Sequence, residues 1–124
     1  MKFLLLKNEM NPETMVCSLS PEIVKVDEDE DQLHRFYELI GCDAIDIVPE
    51  EIGGRPFDLI VDDEGKLKDN LPTFRLNDGR MLYGNILFAH KGEGGTTVGI
   101  EKEDIPLLTR RIWDNVKLMN AEVK

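Results

Sequence analysis

Little in this sequence belongs to the chemistry of metal or nucleophilic sites. It has two histidines, His34 and His90, and two cysteines, Cys17 and Cys42. Neither a CxxC nor an HxxxH spacing occurs. A zinc site needs several nitrogen or sulfur ligands converging, so no metal and no cofactor are expected. Two cysteines far apart do not make a disulfide framework, and Cys42, between a helix stop and a strand, reads as a small buried hydrophobe. No GxSxG elbow is present to hold a serine nucleophile. The glycine-rich "HKGEGGTT" fits neither GxxxxGK[ST] nor GxGxxG, and no helix follows it directly, so it reads as a hairpin turn.

Positive charge is scarce as well. Fifteen basic residues against 25 acidic ones leave a net charge of -10, a field that repels nucleic acid and anionic membranes. Direct nucleic-acid binding is therefore not expected. The acidity reads first as solubility, and otherwise as attraction to a basic partner or imitation of DNA. No apolar run approaches the ~20 residues of a membrane span. The amino-terminal "MKFLLLKNEM" has too short an apolar stretch for a secretory signal, which takes ~7–15 residues. A cytoplasmic protein with no membrane attachment is the expectation.

What the chain does contain is periodic apolar structure. At 124 residues it is expected to be one domain, 1–124, long enough to bury a core without staples. "KFLLLK" and "PEIVKV" read as strands, with "NEMNPET" a turn between them. The acidic "DEDEDQ" opens a helix, because acids oppose the positive end of the helix dipole. Leu33, Phe36, Tyr37 and Ile40 then form one stripe, and Gly41 stops it, giving a helix over Asp29–Ile40. Asp27, Asp29, Asp31 and Glu38 stand at calcium-loop spacing, but Gln32 occupies the position that needs glycine, and the stretch is helical. "CDAIDIVP" reads as a strand ended by Pro49, "EEIGGR" as a loop, and "PFDLIVD" and "GNILFAH" as strands. Asp78-Gly79 marks a tight hairpin. Ile105, Leu108, Ile112, Val116 and Met119 make the stripe of a last helix, about 103–119, with Pro106 in its first turn. Turns after Gly41 are too short for crossovers. The fold class is therefore α+β: a mostly antiparallel sheet of about four to six strands with two helices, about 29–40 and 103–119, packed on it.

The densest cluster of candidate chemistry lies between Leu59 and Gly84. Asp62–Gly65 reads as a turn with Gly65 at positive φ, Leu67 and Leu71 point inward, and Phe74 and Leu76 alternate around Arg75. If a ligand site exists, it gathers Glu64, Lys66, Arg75, Tyr83 and Asn85, with Lys66 and Arg75 holding an anionic group and Glu64 as a base. No spacing enforces that convergence. Paired carboxylates are abundant but sit in turns, where water keeps them ionised. Trp113 lies off the stripe of the last helix and is a candidate partner-binding anchor, since tryptophan is enriched at binding hot spots.

These pieces also carry a resemblance. Leu39-Ile40-Gly41, Ile47-Val48-Pro49, Asp63-Glu64-Gly65-Lys66-Leu67, Leu71-Pro72, Arg75-Leu76 and Gly84 to Phe88 stand in an order that resembles an uncharacterised family. It is a domain of unknown function in small proteins of bacteria, phages and conjugative elements. The resemblance covers about 23–112 and leaves the first 20 residues outside; where the family pattern favours Asn before the Arg, this chain has Phe74. It implies a mobile-element accessory protein with no assigned activity. Together with the missing catalytic groups, it favours a non-enzymatic protein that binds a protein partner or itself, for instance as a dimer through exposed sheet edges. The alternative is a ligand- or nucleotide-handling protein or enzyme with its site on the 62–85 hairpin region.

Overall fold

The computed structural model describes residues 1–27, 31–68 and 71–123. Three apolar blocks form the middle of a sheet. They are β1 (Lys2–Met10), β4 (Arg55–Asp62) and β7 (Ile86–Lys91). Their apolar residues run on without alternation because both faces of these strands are covered. Phe3 and Leu5 enter one cluster with Phe36, Ile40, Ile60, Leu87 and Ala89. Leu4 and Leu6 enter the other, with Phe57, Leu59, Phe74, Phe88 and Leu108.

The remaining elements are β2 (Cys17–Lys25), α1 (Gln32–Ile40), β3 (Ile45–Ile52), β5 (Pro72–Arg75), β6 (Met81–Tyr83), β8 (Thr97–Val98) and α2 (Asp104–Val123). The main sheet runs β2-β1-β7-β4-β3, with β8 pairing the end of β7, and every pair is antiparallel. β5 and β6 form a separate two-stranded sheet. Helix α1 covers one face and α2 the other, an α+β fold. Among the described residues no helix is long and apolar enough to cross a membrane.

The helices follow their sequence signals. Asp31 caps α1 by accepting from the His34 N–H at 3.3 Å, and Gly41 ends it at φ 82°, its N–H bonded to the Tyr37 carbonyl. The expected start at Asp29 lies outside the described residues, as does that position of the calcium-like spacing. Phe36 meets Phe3 edge to face at 5.3 Å. On α2, Ile105, Leu108 and Ile112 pack inward as their spacing requires. The next fully covered position is Asn115, not an apolar residue, and the Met119 side chain lies outside those described.

Several strand and turn expectations shift. β3 begins at Ile45 and runs through Pro49 to Ile52. Pro49 does not end the strand, because β3 is an edge and the missing N–H costs no ladder bond. Gly53 and Gly54, both at positive φ, then close a two-residue turn into β4. β1 extends to Met10, so the first turn falls at Asn11–Val16. Leu67 points outward at 84% exposure, since the Lys68 N–H bonds to the Glu64 carbonyl and closes a helical turn there. Gly65 is not at positive φ; a Cβ there would lie 2.8 Å from the Tyr83 carbonyl oxygen, so close backbone approach excludes a side chain.

A tighter approach occurs at Gly99, beside the start of β1. A Cβ on Gly99 would press into the Lys2 carbonyl oxygen and lie 2.8 Å from the Lys2 nitrogen, both backbone atoms. Gly99→Ala is therefore expected to cost roughly 1–3 kcal/mol, the range for forced overpacking. Urea titration of the two proteins measures it, and an unchanged midpoint would show that the backbone yields.

Candidate functional site

The structure distributes the expected ligand residues. Lys66 and Tyr83 line one cleft of about 190 Å³, together with Arg80 and the carboxylate residues Asp46, Asp62 and Asp63. Glu64 is exposed in the adjoining turn, where its N–H is held by Asp62 Oδ1 at 2.9 Å. Arg75 lies in β5; its N–H donates to Asn115 Oδ1 at 3.1 Å, and its carbonyl accepts from Arg111 at 3.0 Å. Asn85 immediately precedes β7, and its Oδ1 accepts from the Asn8 N–H at 3.0 Å. Thus Lys66 and Tyr83 share a cleft, while Arg75 and Asn85 tie strands and helix together elsewhere. The acids around Lys66 oppose the capture of an anion there.

Trp113 is 60% exposed on the outer side of α2, with the Lys117 ammonium 5.7 Å from its ring centre. That is within cation–π range, so the ring is partly covered by a cation rather than by the core.

The most concentrated electrostatics lie at the start of α2. Asp104 is fully covered and accepts from three donors: the Glu101 N–H at 2.7 Å, His90 Nε2 at 2.6 Å and Arg55 at 2.9 Å. Burial alone would raise its pKa. The hydrogen bonds from Glu101, His90 and Arg55 outweigh that and hold the carboxyl below the usual range. The other His90 nitrogen, Nδ1, lies 3.1 Å from the Pro56 carbonyl, and the ring stacks on Phe57 at 4.5 Å. Both ring nitrogens are thus engaged, so the group clamps α2 to β4 and β7 and leaves no nitrogen facing a substrate.

The other nucleophile candidate is similarly quiet. Cys42 and His34 line one cleft of about 430 Å³. The thiol is buried and free, and burial, with Asp62 beside it, raises its pKa, which keeps it protonated and unreactive. His34 Nε2 lies 3.7 Å from Glu38 across one turn of α1. Among the described residues no three His, Cys, Asp or Glu stand close enough to hold a metal ion.

A further cleft of about 520 Å³ opens beside the β3–β4 hairpin, walled by Pro49, Glu51, Pro56, Phe57, Asp58 and Lys91. Of its lining residues, His90 and Pro49 carried sequence expectations, one as an isolated histidine and one as a strand end, and Asp58 carried none. The usable signal was Asp58, a lone acid inside the apolar block "PFDLIVD". For Asp104 the signal was an acid three residues after Glu101 at a helix start, the place from which a side chain reaches back to a free N–H.

No curated protein and no solved structure matches the chain. A family model described as a domain of unknown function, DUF3846, matches residues 2–112. The match takes in β1 and β2, so the family core begins about 20 residues before the segment that carried the resemblance. Covering nearly all of both sheets and the first half of α2, it shows that the chain belongs to the DUF3846 family.

Proposed function

We propose that this is a small cytoplasmic accessory protein, of mobile-element type, that works by docking on a protein partner rather than by catalysis. The carrying observation is the tip of the β1–β2 hairpin. Met10, Met15 and Val16 gather there at 40%, 69% and 60% exposure. The tip is held by the Asn11 N–H to the Val16 carbonyl and the Met15 N–H to the Asn11 carbonyl. Met15 adopts φ 59°, an uncommon conformation for a residue with a side chain. Apolar groups collected on a shaped projection are what a partner pocket takes up. Trp113 on α2 is a second anchor of this reading. The side chains best suited to chemistry, His90 and Asp104, are meanwhile spent on the fold.

The test is affinity capture from the host's own lysate with tagged wild type and with the double variant Met15→Asp, Val16→Asp. Wild type should retain one protein at near-stoichiometric yield, and the variant should lose it at least tenfold with unchanged thermal unfolding. Equal recovery by both removes the tip from the reading. No enrichment over an unrelated acidic control removes docking itself. If the acidic surface rather than the tip carries the contact, as for a DNA mimic, moderate salt releases the partner, because exposed charges are screened over about 8 Å at physiological ionic strength.

A further inference from the structure

The three covered acids of the main sheet and α2 differ in one respect. Asp62, 7% exposed, holds Lys68 at 3.1 Å and the Glu64 N–H at 2.9 Å. Asp104 holds its three donors. Asp58, 6% exposed in the middle of β4, makes no side-chain hydrogen bond and no ion pair among the described residues. Its strand neighbours are Pro49 of β3 and Ala89 of β7. Phe57 and Leu59 face α2, so by strand alternation Asp58 shares the other face with Ile60.

Its carboxylate is not sealed in the interior either. Among the described residues, the buried side-chain atom left without a partner is Asn8 Oδ1, not an oxygen of Asp58. The Asp58 oxygens therefore meet open space, and Asp58 is a wall of the 520 Å³ cleft. A carboxylate shielded from most water and given no donor is unfavourable until a donor arrives. The nearby basic side chains other than Lys91 are engaged elsewhere. Arg55 and His90 hold Asp104, and Arg111 holds Glu50 at 3.0 Å. Lys91 is exposed at the cleft rim. A bare metal ion would need further ligands, and no such cluster stands among the described residues. On the face that Asp58 occupies, the apolar walls are Pro49, opposite it on β3, and Pro56, two residues before it on β4, surfaces that fit an aliphatic stem.

We propose that this cleft binds an organic cation, a guanidinium or primary ammonium on an aliphatic stem, with Asp58 as its counter-ion and Pro49 and Pro56 against the stem. On the docking reading above, on which only the source of the cation rests, it is an arginine or lysine side chain of the partner. The net charge of -10 favours a partner surface that carries such residues.

The experiment is an amide NMR titration of the whole chain with Nα-acetyl-arginine methylamide and with its uncharged isostere, the citrulline compound. The arginine compound should give saturating shifts at Glu51, Phe57, Asp58 and Lys91, and the citrulline compound at least tenfold weaker ones. Asp58→Asn, close in shape, should weaken arginine binding at least tenfold, while Glu103→Gln, exposed just before α2, leaves it unchanged. Shifts that spread over the acidic surface without saturating, or equal response to both compounds, overturn the site. The comparison of the two compounds uses wild type only, so it stands even if Asp58→Asn folds poorly. An arginine in the middle of a short peptide should bind more tightly than the capped amino acid; equal affinity overturns the assignment to a partner side chain. The variant Met15→Asp, Val16→Asp should keep arginine binding, so failure of the hairpin-tip reading and failure of this site are seen separately.

Discussion

Replacing Asp104 with alanine is expected to lower stability by about 3 kcal/mol, the low end for removing one partner of a buried charge pair. In a chain of this size that shifts the thermal midpoint by roughly 10 °C. The loss has a structural cause. Asp104 is fully covered, and its removal strands the Glu101 N–H and His90 Nε2 at once. Arg55→Ala should cost much less, because that side chain is 45% exposed and regains water. Comparable losses for both variants would show that the Arg55 pair, rather than the Asp104 hub, holds α2 down.

The same group sets an acid limit. The Asp104 carboxyl is held below its ordinary value in the folded chain. A group of that kind contributes stability that is present above the unfolded pKa, about 3.9 for aspartate, and lost as pH falls through the folded pKa. Urea titrations below about pH 4 should therefore show wild type losing stability more steeply than Asp104→Asn, which has no proton to take up. Parallel acid limbs would remove Asp104 as the source.

Asn115 carries the second large effect. It is 3% exposed, and its amide meets the backbone of β5 as a neighbouring strand would: Oδ1 accepts from the Arg75 N–H and Nδ2 donates to the Thr73 carbonyl, both at 3.1 Å. Asn115→Asp keeps the shape but replaces the donor with a second acceptor facing a carbonyl. Asn115→Leu satisfies the apolar stripe of α2 and abandons both backbone groups. Each is expected to cost about 3 kcal/mol, from one or two buried groups left unsatisfied. Hydrogen exchange at the Arg75 amide should accelerate in both variants. A leucine variant as stable as wild type would mean that stripe hydrophobicity outweighs the amide contacts.

Asn115 shows where the sequence was opaque. The 3- and 4-residue spacing of Leu33 to Ile40 and of Ile105 to Ile112 placed both helices, and Gly41 and Asp78-Gly79 placed a stop and a turn, because each is a local signal. Asn115 sits on the buried side of α2 yet reads as polar, and only the arrival of β5 explains it. Leu67 reads as core and is exposed, because the turn that carries it closes on Glu64 and Lys68. Leu33 opens the α1 stripe but is 49% exposed at the helix start. Of the expected ligand residues, Lys66 and Tyr83 line one cleft, whereas the Arg75 backbone is held by Asn115 and Arg111 of α2 and the Asn85 side chain takes the Asn8 N–H of β1. Asp58 was visible as a letter, but its lack of a partner is a property of three strands and a cleft together.

The prolines inside the two outer strands bear on how this chain assembles. Pro21 stands opposite Leu6 near the middle of β2, and Pro49 opposite Asp58 within β3. Each removes an outward N–H from the rim that a newcomer strand would need. A ribbon growing from copy to copy, whether an ordered filament or an aggregate, finds both of its starting points interrupted. Encounters are left to the hairpin tip, the helix faces and the clefts, and contacts of that kind close into discrete complexes instead of propagating.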